Sequence, residues 1–255
     1  MKKKLTILGC GSSVGSPWIT NFKAKLKNDI KNLRTRCCAH ISYGNLSILI
    51  DTSPDIKTQC LKNKIKSVDA IVYTHEHSDQ AAGIFEMRPF YWKNKKKIPV
   101  YGSKRTINLL ISKHTFCFKP RNGYQPIMKA IPVNKEFKIQ KDKNILYMEP
   151  FKVIHGPIPA TGYRFDNVAY ISDCSKIPNS SIKSLYNLKY LIVDCLKFKK
   201  HVSHFNYDDA LKLIDTVKPK KAILTNLHTD LDYRYLKRKL PSNIIPAFDG
   251  LNFNF

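Results

Sequence analysis

Residues Tyr73–Gly83 read YTHEHSDQAAG, and the rest of the chain is organised around them. The run ahead of them, Val68–Thr74 (VDAIVYT), is apolar and of strand length, and Ile71, Val72 and Tyr73 favour a pleated surface. His75, His77 and Asp79 alternate directly behind it. In an extended chain alternate side chains fall on one side, so all three can point the same way from a strand end. Two imidazoles and a carboxylate converging there are ligands for zinc, manganese or iron. The competing reading is a solvated turn that happens to hold two histidines. It leaves the alternation after a buried strand unexplained.

A length of 255 residues with 43% hydrophobic content suits one sizeable α/β domain spanning 1–255. Lys and Arg number 44 against 19 Asp and Glu, a net charge of +25, with lysine runs at Lys2–Lys4, Lys95–Lys97 and Lys218–Lys221. Such a surface attracts phosphate-bearing ligands, nucleic acid or anionic lipid. A genome that favours lysine codons would produce the same balance, since Asn and Ile are also plentiful, and both readings stay open. The seven cysteines (10, 37, 38, 60, 117, 174 and 195) form no C-x-x-C pair, which suggests free thiols in a reducing compartment. The apolar run Leu5–Leu8 behind the basic start is far too short for a secretory signal and reads as a first strand. No segment approaches the ~20 apolar residues of a membrane span. A soluble, cytoplasmic protein with no membrane partner is expected.

The strand Leu5–Cys10 runs into a loop of small residues, Gly9–Ser13, that permits close backbone approach. No Gly-Lys-Ser/Thr follows, so it is not a nucleotide-phosphate loop of the Walker type. Residues 20–36 read as a basic surface loop ending in Arg34 and Arg36. Ala39–Tyr43 and Leu46–Asp51 form a hairpin across Gly44-Asn45. Helices are expected at Pro54–Lys62, Ala81–Phe90 (stopped near Pro89), Lys104–Lys113, Tyr207–Val217 and Tyr233–Leu240. Strands are expected at Pro99–Tyr101, Phe151–Ile154, Gly162–Phe165, Val168–Ser172, Tyr190–Val193 and Lys221–Thr225, with further sheet between 114 and 150. Ligand-type residues recur at strand ends: Asp51, His75, His77, Asp79, His155, Asp173, Asp194 and His228. Gathered from several strand ends, they define a cleft at one edge of a sheet.

These residues resemble the metallo-β-lactamase superfamily, whose signature is T-H-x-H-x-D-H followed by a lone His, an Asp and a late His at strand ends. Here the matches are His75, His77 and Asp79, then His155 in VIHGPI, Asp173 in AYISDCS and the late LTNLHTD. The stretches ILGCGSSVGSP, NLRTRCCAHIS, IDTSPD, THEHSDQAAGIFEMRP and LPSNIIPAFDG are similar to the branch of phosphoribosyl cyclic phosphate phosphodiesterases of the carbon–phosphorus lyase pathway. The tRNA 3′-end endonucleases (RNase Z) are more distant relatives. The resemblance implies an α/β fold, a four-layer αββα sandwich, and a divalent metal site, zinc or manganese. It also implies hydrolysis of phosphodiesters and, since relatives are often dimers, a possible homodimer.

The chain departs from that pattern at Gln80 and Asn226, where the family has metal-binding histidines, and His228 lies two residues beyond Asn226. A cysteine cluster that holds a structural zinc in the phosphodiesterases is missing from 18–33. One firm metal site is expected from His75, His77, His155 and Asp173, and a weak or altered second one from Asp79, Asp173 and His228. A bound ion lowers the pKa of water, and the resulting hydroxide would attack phosphorus. Asp79 would orient it or take its proton, and His204 in HVSHFNYDDA matches the family's non-ligand catalytic histidine. Arg34, Arg36 and Arg88 are candidates for substrate phosphate; Arg36 and Arg88 could equally pair with Asp51 or Glu86. The expected function is a phosphodiesterase on a small cyclic phosphate or nucleotide-like diester. The alternatives are an RNase Z-like endonuclease, with nucleic acid as partner, or a binding protein with a degenerate second site.

Overall fold

The computed structural model of the protein describes residues 2–21 and 29–255. The part of the 18–33 loop between 22 and 28 therefore lies outside the described residues.

Two seven-stranded sheets build the molecule. The strands in chain order are β1 Lys3–Gly9, β2 Cys38–Tyr43, β3 Leu46–Ile50, β4 Ala70–Val72, β5 Ile98–Gly102, β6 Met128–Pro132, β7 Phe137–Lys141, β8 Asn144–His155, β9 Ile158–Phe165, β10 Val168–Ile171, β11 Tyr190–Asp194, β12 Lys221–Thr225, β13 Ile244–Pro246 and β14 Asn252–Asn254. The first sheet runs β14-β1-β2-β3-β4-β5-β6 and the second β13-β12-β11-β10-β9-β8-β7. β3 to β6 pair in parallel, as do β10 to β13. Buried on both faces, these strands are near-continuous apolar runs such as LSILI and YLIVD.

Alternation along the strands sorts the core into three layers. Ile48, Ile50, Val72, Tyr170, Ile192 and Ile223 meet between the sheets. Leu49, Ile71 and Val100 face outward from the first sheet onto Ile56 of α1 (Ile56–Lys62) and onto Ile107 and Leu110 of α2 (Lys104–Lys113). Ala169, Leu191, Val193 and Leu224 face outward from the second sheet onto Leu213, Ile214 and Val217 of α3 (Tyr207–Val217) and Leu236 of α4 (Tyr233–Lys239). The result is the αββα sandwich. Among the described residues no helix is long and apolar enough to cross a membrane.

One expected element differs. In place of a helix over 81–90, a short helical turn Ser78–Ala81 passes into a 3-10 segment, Ala82–Met87, and a new helix, Arg88–Asn94, begins with Pro89 in its first turn. Proline lacks an N–H, and the first helical turn needs none, so it starts that helix instead of ending one.

Candidate metal centre

The two sheets meet where β4 gives way to the His75–Asp79 loop. The Thr161 amide donates to the Thr74 carbonyl at 2.9 Å, and the Tyr163 hydroxyl to the Tyr73 carbonyl at 2.8 Å. Gly83 secures the other end of the loop. Its amide donates to the Thr52 carbonyl, and a Cβ there would collide with the Ser53 carbonyl oxygen.

His75, His77 and His155 converge so that their ligand nitrogens lie within 4.8 Å of one another. Hydrogen bonds settle two of the tautomers. The carboxylate of Asp51 accepts both the Thr74 amide and the Thr74 hydroxyl at 2.8 Å. With Asp51 ionised that hydroxyl has no further proton to give, and its 3.0 Å contact with His75 Nδ1 is an N–H donated by the ring; burial pushes the Asp51 carboxyl up, and the Thr74 amide and hydroxyl pull it back. His75 Nε2 is left as a lone pair, buried and without a hydrogen-bond partner. His155 Nδ1 lies 2.7 Å from the Ser203 carbonyl, which can only accept, so His155 Nε2 also presents a lone pair, 3.3 Å from His77 Nδ1. Burial pushes His75 down to about 4 and keeps it neutral. Neutral imidazoles with oriented lone pairs fit a divalent ion, and the Asp51–Thr74–His75 chain is the outer support that such ligands need.

Asp173, two residues past β10, clusters with His155 and His204 beside it. Burial opposes its ionisation, but the imidazoles of His75, His204 and His155 outweigh that and hold its carboxyl below the ordinary value. Half-buried Asp79 is pushed up to about 6 by burial and by the charge of Asp173. His204 Nδ1 lies 2.8 Å from Asp194 Oδ2. Burial works against its charged form, yet Asp194, with Asp173 and Asp79 beyond it, raises its pKa to about 9. The His204 ring packs against that of His155 at 4.6 Å between centroids.

Four of the remaining candidates, His228, Arg34, Arg36 and Arg88, fall elsewhere. His228, expected as a substitute ligand, belongs to neither three-residue ligand cluster among the described residues. The chain turns through a left-handed Asn226 (φ 60°), the His228 amide bonds the Leu196 carbonyl, and its ring meets Trp18 edge-on at 4.8 Å, with Nδ1 3.1 Å from Asp230. Arg34 is only 3% exposed, and its guanidinium donates to the carbonyls of His228 and Leu231 and to Asn32. It braces the loop beyond β12 instead of facing a substrate. Arg36 sits 2.9 Å from Asp55, a partner other than the expected Asp51 or Glu86. Arg88 lies over the Phe85 ring at 4.5 Å, in a cavity of about 520 Å³ lined by Trp92, Phe116 and Arg121. Gln80 and Asn226 both face the centre, with side-chain nitrogens 3.1 and 3.3 Å from Asp173. The sequence points to no role for Thr74, and to Asp194 only as one of the ligand-type residues at strand ends, not as the partner of His204.

The family model for the beta-lactamase superfamily domain matches residues 47–226, and the chain belongs to that superfamily. Fold and centre together are those of a metal-dependent hydrolase. The chain is 32% identical to a diphosphatase of the PhnP family of known crystal structure, covering 100% of this chain and 98% of that one with a TM-score of 0.91. It shares the fold of the short form of human tRNase Z at 17% identity, with 98% of each chain covered and a TM-score of 0.71. An octanoyltransferase of Porphyromonas gingivalis is 29% identical over 96% of this chain, which spans half of that protein's length.

Proposed function

We propose that the protein is a phosphodiesterase acting on a small cyclic phosphate or nucleotide-like diester, with a divalent ion, zinc or manganese, as cofactor. The observation that carries this reading is the Asp194–His204 pair, closed at 2.8 Å and packed against the three-imidazole cluster. It puts a proton donor beside a site that binds an electrophile. Similarity to a diphosphatase supports chemistry at phosphorus.

His75, His77, His155 and Asp173 would hold the ion, which when bound would supply positive charge to the phosphoryl group and lower the pKa of water. The chain's own groups handle the protons. Asp79, with its pKa near 6, accepts one from the attacking water. His204 gives the Nε2 proton to the leaving oxygen while Asp194 keeps hold of Nδ1–H, so the ring becomes neutral without turning. Acyl transfer through a thiol has no support, because all seven cysteines are buried and burial raises every thiol's pKa. An endonuclease acting on RNA is the second reading, favoured only by the +25 charge.

Manganese-loaded protein should hydrolyse bis(p-nitrophenyl) phosphate and cyclic nucleotides, and Asp79→Ala should lower the rate by roughly 10²-fold or more. His204→Ala should slow esters with poor leaving groups more than nitrophenyl esters; an equal loss on both would remove His204 from the donor role. Cleavage of tRNA precursors with no turnover of small diesters would replace this reading with the endonuclease. Turnover of no phosphodiester by metal-loaded protein would sink both.

A further inference from the structure

Each oxygen of Asp173 accepts from a different amide. Gln80 Nε2 donates to Asp173 Oδ2 at 3.1 Å and to Asp79 Oδ2 at 3.3 Å, while Asn226 Nδ2 donates to Asp173 Oδ1 at 3.3 Å and to Asp194 Oδ1 at 3.1 Å. All four of these acceptors are carboxylate oxygens, and Asn226 Nδ2 also lies 3.0 Å from His204 Nδ1. Turning either amide over would set its carbonyl oxygen against two of them and forfeit both bonds, and the one proton on His204 Nδ1 is already given to Asp194, so the carboxylates themselves orient the amides nitrogen-inward. Both side chains are buried, Gln80 at 0% and Asn226 at 1% exposure, so water cannot make up such a loss.

The same carboxylates are those a second cation would need. Around them stand two amide nitrogens whose lone pairs are delocalised and cannot coordinate. A third candidate, His204 Nδ1, lies 3.8 Å from Asp173 Oδ1 but is already bonded to Asp194. His75 and His77 belong to the first cluster alone, and His155, shared with the Asp173–His204 cluster, has its Nε2 turned to His77. Gln80 Oε1, buried without a donor, remains as a neutral ligand atom at this place. One amide oxygen is a poor exchange for imidazoles with a borderline-soft ion.

We propose that this chain binds a single divalent ion, on His75, His77, His155 and Asp173, and that the amides of Gln80 and Asn226 replace the second cation. Their N–H groups hold Asp173 and Asp79 in place by hydrogen bonds. Gln80 and Asn226 are positioning residues, acting through the carboxylates they hold.

The proposal rests on the metal assignment made above but not on turnover, so its test reads metal content directly. Protein stripped with a chelator, reloaded with zinc and then with manganese, and desalted should hold one ion per chain by elemental analysis. Isothermal titration should show one binding step. The double variant Gln80→His, Asn226→His should hold two, with a second step that either single variant weakens or lacks. Two ions on the wild-type chain, or none, would overturn the proposal. So would a double variant that is folded by circular dichroism yet still binds one. One ion without phosphodiesterase activity would defeat the proposed function and leave this inference standing; two ions with activity would do the reverse.

Discussion

His40 bonds through Nε2 to the Ser47 hydroxyl at 2.8 Å, and that hydroxyl donates onward to the Ser67 carbonyl at 2.5 Å. The serine's single proton is spent on the carbonyl, so the imidazole must supply the N–H. Burial, helped by nearby Lys4, lowers the pKa of His40 from 6.5 to about 4. Between these values the unfolded chain takes up a proton that the folded chain refuses. Stability is therefore flat above about pH 6.5, falls as pH drops through the window, and levels off below about 4. The full span of the effect is on the order of 3 kcal/mol. Urea unfolding across that range should show the slope in the wild type and a reduced slope in His40→Gln; identical slopes would mean that other groups carry it. At this scale identity alone was informative at Gln80 and Asn226, since an amide is visible in a sequence as something other than imidazole. Which atoms those amides face was not visible. Apart from Asp79 beside Gln80, the carboxylates they bond lie at 173 and 194, far off in the chain.

The helix α3 shows what an element owes to local signals. Its bounds, Tyr207–Val217, are those expected from the sequence, because independent devices agree there. Ala210, Leu213, Ile214 and Val217 repeat at helical spacing and are buried, while Asp208 and Asp209 complement the helix dipole at the start. Asn206 caps the Asp209 amide at 2.9 Å, and Asp209 reaches back to the Asn206 amide at 3.4 Å. Asn206 also donates to the Phe198 carbonyl. Asn206→Ala should cost about 1–2 kcal/mol, read as a lower urea midpoint at unchanged slope. An unchanged midpoint would mean that packing alone holds this helix end. The stretch behind the metal loop is the counterexample. Pro89 suits either the end of one helix or the start of another, and only the packing of Ile84 and Met87 into the core settles that a new helix begins at Arg88.

For the whole molecule the dominant quantity is the charge of +25. Few carboxylates offset it, and several of those are buried at the centre, so the folded surface repels itself more than the expanded chain does. Raising sodium chloride from about 20 to 300 mM shortens the screening length from about 20 to 6 Å. The thermal midpoint should rise by a few degrees over that interval. A midpoint that stays put would mean that the lysines are spaced so that their repulsion is already negligible. The same chain places its inner and outer cores by strand alternation, which is why the four layers were legible from runs such as LSILI and YLIVD once the ligand residues marked the strand ends.

The sequence by itself determined the fold class and the strand ends and pointed to the three imidazoles that the structure brings together, because period-two burial and the alternation of His75, His77 and Asp79 are local properties of the chain. Tertiary structure alone decided the rest. It turned the backbone at Asn226 so that His228 leaves the centre, and it sank Arg34 among carbonyls. It set Thr74 and Asp51 behind His75, and Asp194 behind His204. Each of these outcomes depends on a hydrogen bond between residues distant in sequence or on the direction a chain takes after a strand ends. Neither is encoded in the spacing of residue types, since the partner is chosen by packing.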